Sequence, residues 1–291
     1  MKSSDATFTR VTIVGLGLVG GSWGLALKAR GFPGRVVGCD RAEVLKRAID
    51  AGAIDEGEER PSEAADGADL IILAMPVGAI LDLLPRLKAS VKPRALVTDV
   101  GSTKRLICRR GAEIFDGEAL FLGGHPLAGK ERSGFDNAEA ALFENARYVL
   151  TPLSPDHLAD PRVKAFIELL KSLGAQPFVT DPSIHDRAVA FLSHLPQLVS
   201  TGLASLMAEQ GAEDFLPAEL AASGFRDFTR LAESPYSVWR DICLTNIENI
   251  QSALDALIEK LEDMKLHLSD RELERDFKQA LKLREKLRKL S

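Results

Sequence analysis

A chain of 291 residues suits one large or two modest globular domains with ample buried core. Its 45% hydrophobic and 27% charged residues are ordinary for a folded protein, and a net charge of −5, with no basic run before the C-terminal helix, argues against nucleic acid as a partner. Three scattered cysteines (Cys39, Cys108, Cys243) without a CxxC pair exclude a disulfide frame and a zinc site, so they read as reduced thiols and no metal is expected.

The N-terminus MKSSDATFTR has no apolar segment ahead of the first strand, so no signal peptide is expected. No unbroken run approaches the roughly 18 apolar residues of a membrane span, and the expected compartment is the cytoplasm. Strands are predicted at Val11–Gly15, Arg35–Asp40, Leu70–Ala74, Ala95–Asp99, Phe121–Gly123, Tyr148–Thr151 and Pro177–Thr180, with helices at Gly20–Arg30, Ala42–Ala51 and Val77–Lys88 between the early ones. Strand and helix alternating at this spacing imply a mainly parallel sheet covered on both faces. After Asp181-Pro182 the strand signals stop and about 110 residues of helical periodicity follow, so the domains are placed at 1–181 and 182–291. Near the end, Ser269-Asp-Arg-Glu272 reads as a capping box opening an amphipathic helix, with eight Lys/Arg against four Asp/Glu over 271–291.

Within the first domain, VTIVGLGLVGG places Gly15-x-Gly17-x-x-Gly20 directly after a strand and at the start of a helix. The first glycine permits the tight turn, the second lets backbone approach a pyrophosphate, and the third lets helix and strand pack closely. With Leu18 and Val19, these residues put the positive end of the helix dipole against the phosphates. Asp40 lies twenty residues past Gly20 at the end of the second strand, where its carboxylate can accept both ribose hydroxyls and repel a 2′-phosphate. The expected class is therefore a Rossmann-type, doubly wound α/β fold binding NAD rather than NADP, followed by an all-α domain. Arg41 is the competing signal, since it can stack on adenine or pair with a 2′-phosphate; Asp40 has the alternative role of a surface N-cap.

Other residues reach the carboxyl edge of the same sheet. Met75-Pro76 ends the strand in LIILAMP, where the chain must turn over the cofactor, and TDVGSTK delivers Gly101, with Ser102 and Lys104 where nicotinamide and substrate should meet and Lys104 as a substrate-binding residue; Asp99 is readable as a helix N-cap. The run GGHPLAGKERSG brings His125 to the edge behind Gly123 and Gly124, which let the backbone come close to a ligand, and ahead of Pro126, in a sequence that makes a poor strand. There a neutral imidazole serves as general base for a hydroxyl whose carbon loses hydride.

The chain resembles the prephenate and arogenate dehydrogenases of tyrosine biosynthesis. The resemblance lies in GLGLVGGS (15–22), TDVGSTK (98–104), GGHPLAGKERSG (123–134), LFENARYVLTP (142–152), HDRAVAFLSHLPQ (185–197) and SGFRDFTRLAESPYSVWRDICLTN (223–246). It implies oxidation and decarboxylation of a cyclohexadienol, with hydride passing to NAD(P)+ and aromatisation driving loss of CO2. It also implies His125 as proton acceptor assisted by Ser102, Arg230 as the carboxylate anchor, and His194 and Trp239 at the pocket. His194 and Trp239 have ordinary alternatives in core hydrogen bonding and helix packing, and Arg226 in a structural ion pair. Many family members carry a second histidine where this chain has Gln197, and an uncharged amide there tilts the expectation toward arogenate or dual use. A homodimer built on the helical domain is expected, with neither a tyrosine-regulatory module nor a chorismate mutase domain in this chain. The rival readings are another two-domain NAD-dependent dehydrogenase, of the β-hydroxyacid type with a catalytic lysine in the helical domain, and a non-catalytic NAD-responsive binding protein.

Overall fold

The computed structural model describes residues 8–115, 117, 119–129, 132–211 and 220–289. Short apolar runs make the first strands. β1 (Arg10–Val14) leads through the glycine turn to α1 (Leu18–Ala29), and β2 (Arg35–Cys39) leads to α2 (Ala42–Asp50). β3 (Glu56–Glu58), α3 (Pro61–Ala65), β4 (Leu70–Leu73) and α4 (Val77–Leu87) follow, then β5 (Leu96–Asp99) and α5 (Arg105–Ile114). β6 (Leu120–Pro126), β7 (Arg147–Thr151), α6 (Pro161–Ser172) and β8 (Gln176–Val179) complete the sheet. The rest is helical: α7 (Pro182–Val189), α8 (Leu195–Gly211), α9 (Ser223–Thr229), α10 (Tyr236–Thr245), α11 (Ile247–Leu266) and α12 (Leu273–Arg288).

The eight strands form one sheet in the order β3-β2-β1-β4-β5-β6-β7-β8. Pairing is parallel from β3 to β6 and from β7 to β8, and antiparallel between β6 and β7. Every residue of β4 and β5 is buried, as a parallel sheet covered on both faces requires. Trp23 anchors one apolar layer, its ring within 5.3 to 6.0 Å of Phe143, Tyr148 and Phe166. Strand order reverses at β1, whose carboxyl end therefore opens the crevice in which such sheets take ligands.

Three local readings of the sequence are corrected. GGHP is strand, because β6 outruns β5 and pairs His125 with Val149 and Pro126 with Tyr148 of β7. Pro126 is tolerated because β6 has one neighbour at that height, so no ladder donor is missed on the other side. β3 was not expected from Glu56-Gly-Glu58, which has no β-branched residue; it forms because Val37–Cys39 offers an open edge. The capping box at Ser269 does not form: α12 begins at Leu273, and Asp270 accepts from the Glu272 amide instead.

α7 and α8 run through one π-helical turn, Ala190–His194, placed just before Pro196. Proline has no N–H and its ring collides with the carbonyl four residues back, so the wider turn relieves it. Folded this way, Pro182–Gln210 is long and apolar enough to cross a membrane, although its residues include no such unbroken run. Its buried side carries His185, Asp186, His194 and Gln197, while Ile184, Leu192 and Leu206 are exposed. A buried polar side and an exposed apolar side suit a domain helix that meets a protein partner.

Candidate active site

The glycine turn is built as nucleotide binding demands. Gly15 has φ +91°, and a Cβ there would lie 2.4 Å from the Ala74 carbonyl. A Cβ on Gly20 would overlap the Gly15 carbonyl at 1.8 Å, so helix and strand meet only through glycine. At Gly17, by contrast, nothing lies within 4 Å of a Cβ position, which leaves room for an approaching phosphate. Gly17 is the N-cap of α1, and the first turn, Leu18–Gly20, holds no acidic residue against an anion. These residues fit a dinucleotide.

Asp40 stands beside this turn with Oδ2 accepting from the Leu16 amide at 2.7 Å and Oδ1 from Arg41 N at 2.8 Å. Its carboxylate is fixed by backbone and keeps lone pairs for further donors. Arg41 is exposed and leans toward Glu43 at 3.4 Å and Asp40 at 3.9 Å. An open cavity of about 320 Å³ runs between Val14, Gly15, Asp40, Arg41, Glu59 and Met75. Pro76 is the N-cap of α4, and a long reach from the helical domain holds this corner: Asp241 of α10 accepts from Gly78 N at 2.9 Å. Burial beside Asp40 and Glu58 pushes the Cys39 thiol up to about 12, so it is an inert neighbour.

Across the crevice, β5 ends at Asp99, with Gly101 buried and Ser102 half-buried just beyond it. Asp99 is fully buried, accepting from Gly101 N at 2.8 Å and Gly124 N at 3.1 Å, and it forms an ion pair with Lys104. Lys104 was expected to bind substrate. It does not reach the open edge: its fully buried ammonium is spent on Asp99 and on the Gly124 carbonyl at 2.8 Å. The glycines before His125 are corrected likewise. A Cβ on Gly123 would strike Thr151 Oγ1 and Cys108 Sγ, and one on Gly124 would lie 2.6 Å from the Asp99 carbonyl. Internal packing requires them, not approach of a ligand.

His125 is half-buried at the end of β6. Its Nδ1 is 2.8 Å from Nε2 of His185, whose own Nδ1 is 2.8 Å from Asp186 Oδ1. Among the described residues Nε2 of His125 makes no hydrogen bond. Burial holds the imidazole well below its ordinary value, and repulsion from His185, Lys104 and His194 adds to this. His185 and Asp186 sit in HDRAVAFLSHLPQ but carry no motif chemistry in sequence; the adjacent His-Asp pair opening the second domain was the available signal.

His194 is buried, with its ring edge-on to Trp239 at 5.8 Å and its Nδ1 3.3 Å from Asn246 Nδ2. Burial lowers it to about 4, with Asp186 opposing and His185 assisting. Gln197 does not offer its amide nitrogen to a ligand. Nε2 donates to the Leu231 carbonyl at 2.7 Å and is 3.2 Å from Thr201 Oγ1. That bond ties down the turn on which Arg230 is exposed, so Gln197 supports the arginine segment. Arg226 is spent on the Ala221 carbonyl, at 2.8 Å from Nη2. The structure thus gathers His125, His185, Asp186, His194 and Trp239 around the β6 edge. No cluster of three or more potential metal ligands occurs among the described residues.

Comparison with known proteins gives one answer along the whole chain. Residues 23–179 match the family model described as the nucleotide-binding domain of prephenate dehydrogenase, and residues 181–283 match its dimerization domain. The chain is 35% identical to a prephenate dehydrogenase of Lactococcus lactis subsp. cremoris, over 95% of this chain and 77% of that protein. A crystal structure of prephenate dehydrogenase from A. aeolicus, in complex with hydroxyphenyl propionate and NAD+, superposes with a TM-score of 0.85 at 30% identity, covering 97% of this chain and 98% of that one. The Synechocystis arogenate dehydrogenase structure gives 0.80 at 32% identity, covering 96% and 99%. Neither the β-hydroxyacid reading nor the non-catalytic one is favoured beside these matches.

Proposed function

The chain belongs to the prephenate dehydrogenase family, and from that premise we propose that it oxidises and decarboxylates a cyclohexadienol, prephenate, arogenate or both, using NAD+ in preference to NADP+. It is an oxidoreductase with a nicotinamide cofactor. The observation that carries the reading is the setting of His125. A neutral, partly desolvated imidazole, with Nδ1 engaged by His185 and Nε2 making no hydrogen bond among the described residues, stands across the crevice from the glycine turn.

Gly15, Gly17, Leu18, Val19 and Gly20 would hold the pyrophosphate, and Asp40 the adenosine ribose. Met75, Pro76 and Gly101 would border the nicotinamide half. When bound, the cofactor supplies the hydride acceptor. His125 Nε2 takes the proton of the C4 hydroxyl as hydride leaves C4, with Ser102 orienting that hydroxyl. The C–CO2 bond electrons then complete the aromatic ring, CO2 departs, and the phenolate oxygen takes the proton back from His125. Arg230 pairs with a substrate carboxylate through its planar guanidinium, while His194 and Trp239 shape the wall. Lys104 supports the floor beneath His125.

NAD+ is favoured because Asp40 and Glu59 both line the adenosine cavity, where a 2′-phosphate would meet two carboxylates. Gln197 no longer argues for arogenate, since its amide nitrogen is committed to Leu231. We assign residues 1–181 to cofactor binding and 182–291 to substrate binding and homodimer formation. Initial rates with prephenate and arogenate, each against NAD+ and NADP+, test the reading. No reduced nicotinamide in any of the four combinations would sink it.

A further inference from the structure

We propose that His185 and Asp186 are positioning residues for His125, holding it in the Nδ1–H tautomer so that Nε2 is its basic atom. The inference rests on the reading of His125 as proton acceptor and extends it to two residues of the helical domain.

The chain of hydrogen bonds starts at the acceptor Asp186. Its Oδ1 lies 2.6 Å from Lys104 N and its Oδ2 2.9 Å from Arg105 N, the amides that open α5. α5 has no side-chain cap of its own and no acidic residue in its first turn, so Asp186, eighty-odd positions away, takes the place of that cap. Asn246 Nδ2 donates to the Asp186 carbonyl at 2.8 Å, fixing its backbone as well. With two amides already aimed at it, the carboxylate acts only as an acceptor toward His185, so His185 Nδ1 carries the proton. In the neutral ring Nε2 is then an acceptor, and the facing Nδ1 of His125 must donate to it. The same logic leaves the lone pair of His125 on Nε2.

Among the described residues, the charged and titratable groups that act on His125 and His194 fit that ordering. Lys104 and Asp99 lie behind β6 as a closed pair, His194 approaches from the π-turn, and Asp186 closes the far end. His185 is 3% exposed and Asp186 fully buried, so the chain orients His125 and offers no exit for a proton to solvent. As Nε2 accepts the hydroxyl proton, the Nδ1–H bond to His185 becomes charge-assisted and strengthens, which favours the transition state over the ground state.

Long-range proton–nitrogen spectra of the full chain with 15N-labelled histidine test this directly, since there are five histidines to assign. In wild type, His125 and His185 should both be protonated on Nδ1. Asp186→Asn presents an amide N–H to His185, which should flip both rings and lower kcat by at least about a hundredfold, as the wrong tautomer does in a Ser-His-Asp triad, while KM moves less than about threefold. His185→Gln offers an oxygen to His125 Nδ1 and should keep its tautomer, losing no more than about tenfold in kcat. A wild-type His125 protonated on Nε2 overturns the proposal, as does an Asp186→Asn enzyme with unflipped rings and kcat within about threefold of wild type. Should neither substrate be turned over, the wild-type spectra still decide the positioning, and only the proposed reaction falls.

Discussion

Lys104 and Asp99 form an ion pair with no solvent exposure on either side chain, directly beneath the strand that carries His125. Two charges removed from water in this way are tolerated because Asp99 also accepts the Gly101 and Gly124 amides, and Lys104 donates to the Gly124 carbonyl. The pair therefore fixes the height of Gly124 and, one residue on, of His125.

Removing one partner should be far worse than removing both. Lys104→Met leaves a buried carboxylate uncompensated and should cost about 3–5 kcal/mol of stability, read from urea unfolding. Combining it with Asp99→Asn should restore part of the loss, because the amide oxygen still accepts a backbone N–H. A Lys104→Met protein as stable as wild type would show that the pair is not structural.

Acid should destabilise the fold earlier than carboxylate titration alone explains. His125 and His194 are both held below the unfolded histidine value of 6.5, His194 to about 4. Between those values the unfolded chain binds protons that the folded chain refuses, so stability is full above pH 6.5 and falls as pH drops toward 4. The slope is at most about 1.4 kcal/mol per pH unit for each histidine. Urea midpoints that fall from pH 7.5 to 5 in wild type, and fall less steeply in His194→Asn, would bear this out. Equal slopes would remove His194 from the account. The same direction of shift places the acid limb of kcat/KM below pH 6.5, since His125 stays neutral and basic to lower pH than a free imidazole.

What the sequence revealed tracks how local each feature is. The Gly15–Gly20 turn and Asp40 were legible because their constraints act within one strand–turn–helix unit. Lys104 was misread because its ammonium turns inward to the Gly124 carbonyl, twenty positions away, and to an Asp99 that the sequence offered only as a helix N-cap. Gln197 was misread because the carbonyl that takes its amide nitrogen, that of Leu231, lies 34 positions away. His185 and Asp186 offered only their adjacency as a signal, since their partners lie 60 to 82 positions away.

Cofactor choice turns on Asp40. Replacing it with serine removes the charged acceptor that we assign to the ribose hydroxyls, a loss of about 1.5–3 kcal/mol, or roughly ten- to a hundredfold in the NAD+ Michaelis constant. Use of NADP+ should improve in the same variant, because a 2′-phosphate then meets one carboxylate fewer. Steady-state kinetics with both cofactors measure it. A wild-type enzyme preferring NADP+ by about tenfold or more would hand the site to Arg41.

Assembly should depend on the exposed side of the Pro182–Gln210 helix. Leu192 is 80% exposed and Ile184 63%, on a segment that matches the family's dimerization domain. Leu192→Glu places a charge where we expect a second copy, which costs far more in a dry interface than in water. Sedimentation at micromolar concentration should give a dimer for wild type and a monomer for the variant. A monomeric wild type would reject the arrangement.

The division of labour between His125 and Arg230 should separate cleanly in kinetics. His125→Asn keeps a hydrogen-bonding side chain but cannot take a full proton, so the chemical step should slow about 100- to 10,000-fold with little change in KM. Arg230→Ala removes a carboxylate anchor used by ground state and transition state alike, and should raise KM much more than it lowers kcat. Gln197→Leu supplies the control. It releases the Leu231 carbonyl that holds the Arg230 turn, and should raise KM in the same direction without touching the acid limb of His125. If His125→Asn retained most of its turnover number with an unchanged acid limb, the imidazole would be a strand residue closing a hydrogen-bond chain, and the base would have to be sought elsewhere on the β5 and β6 edge.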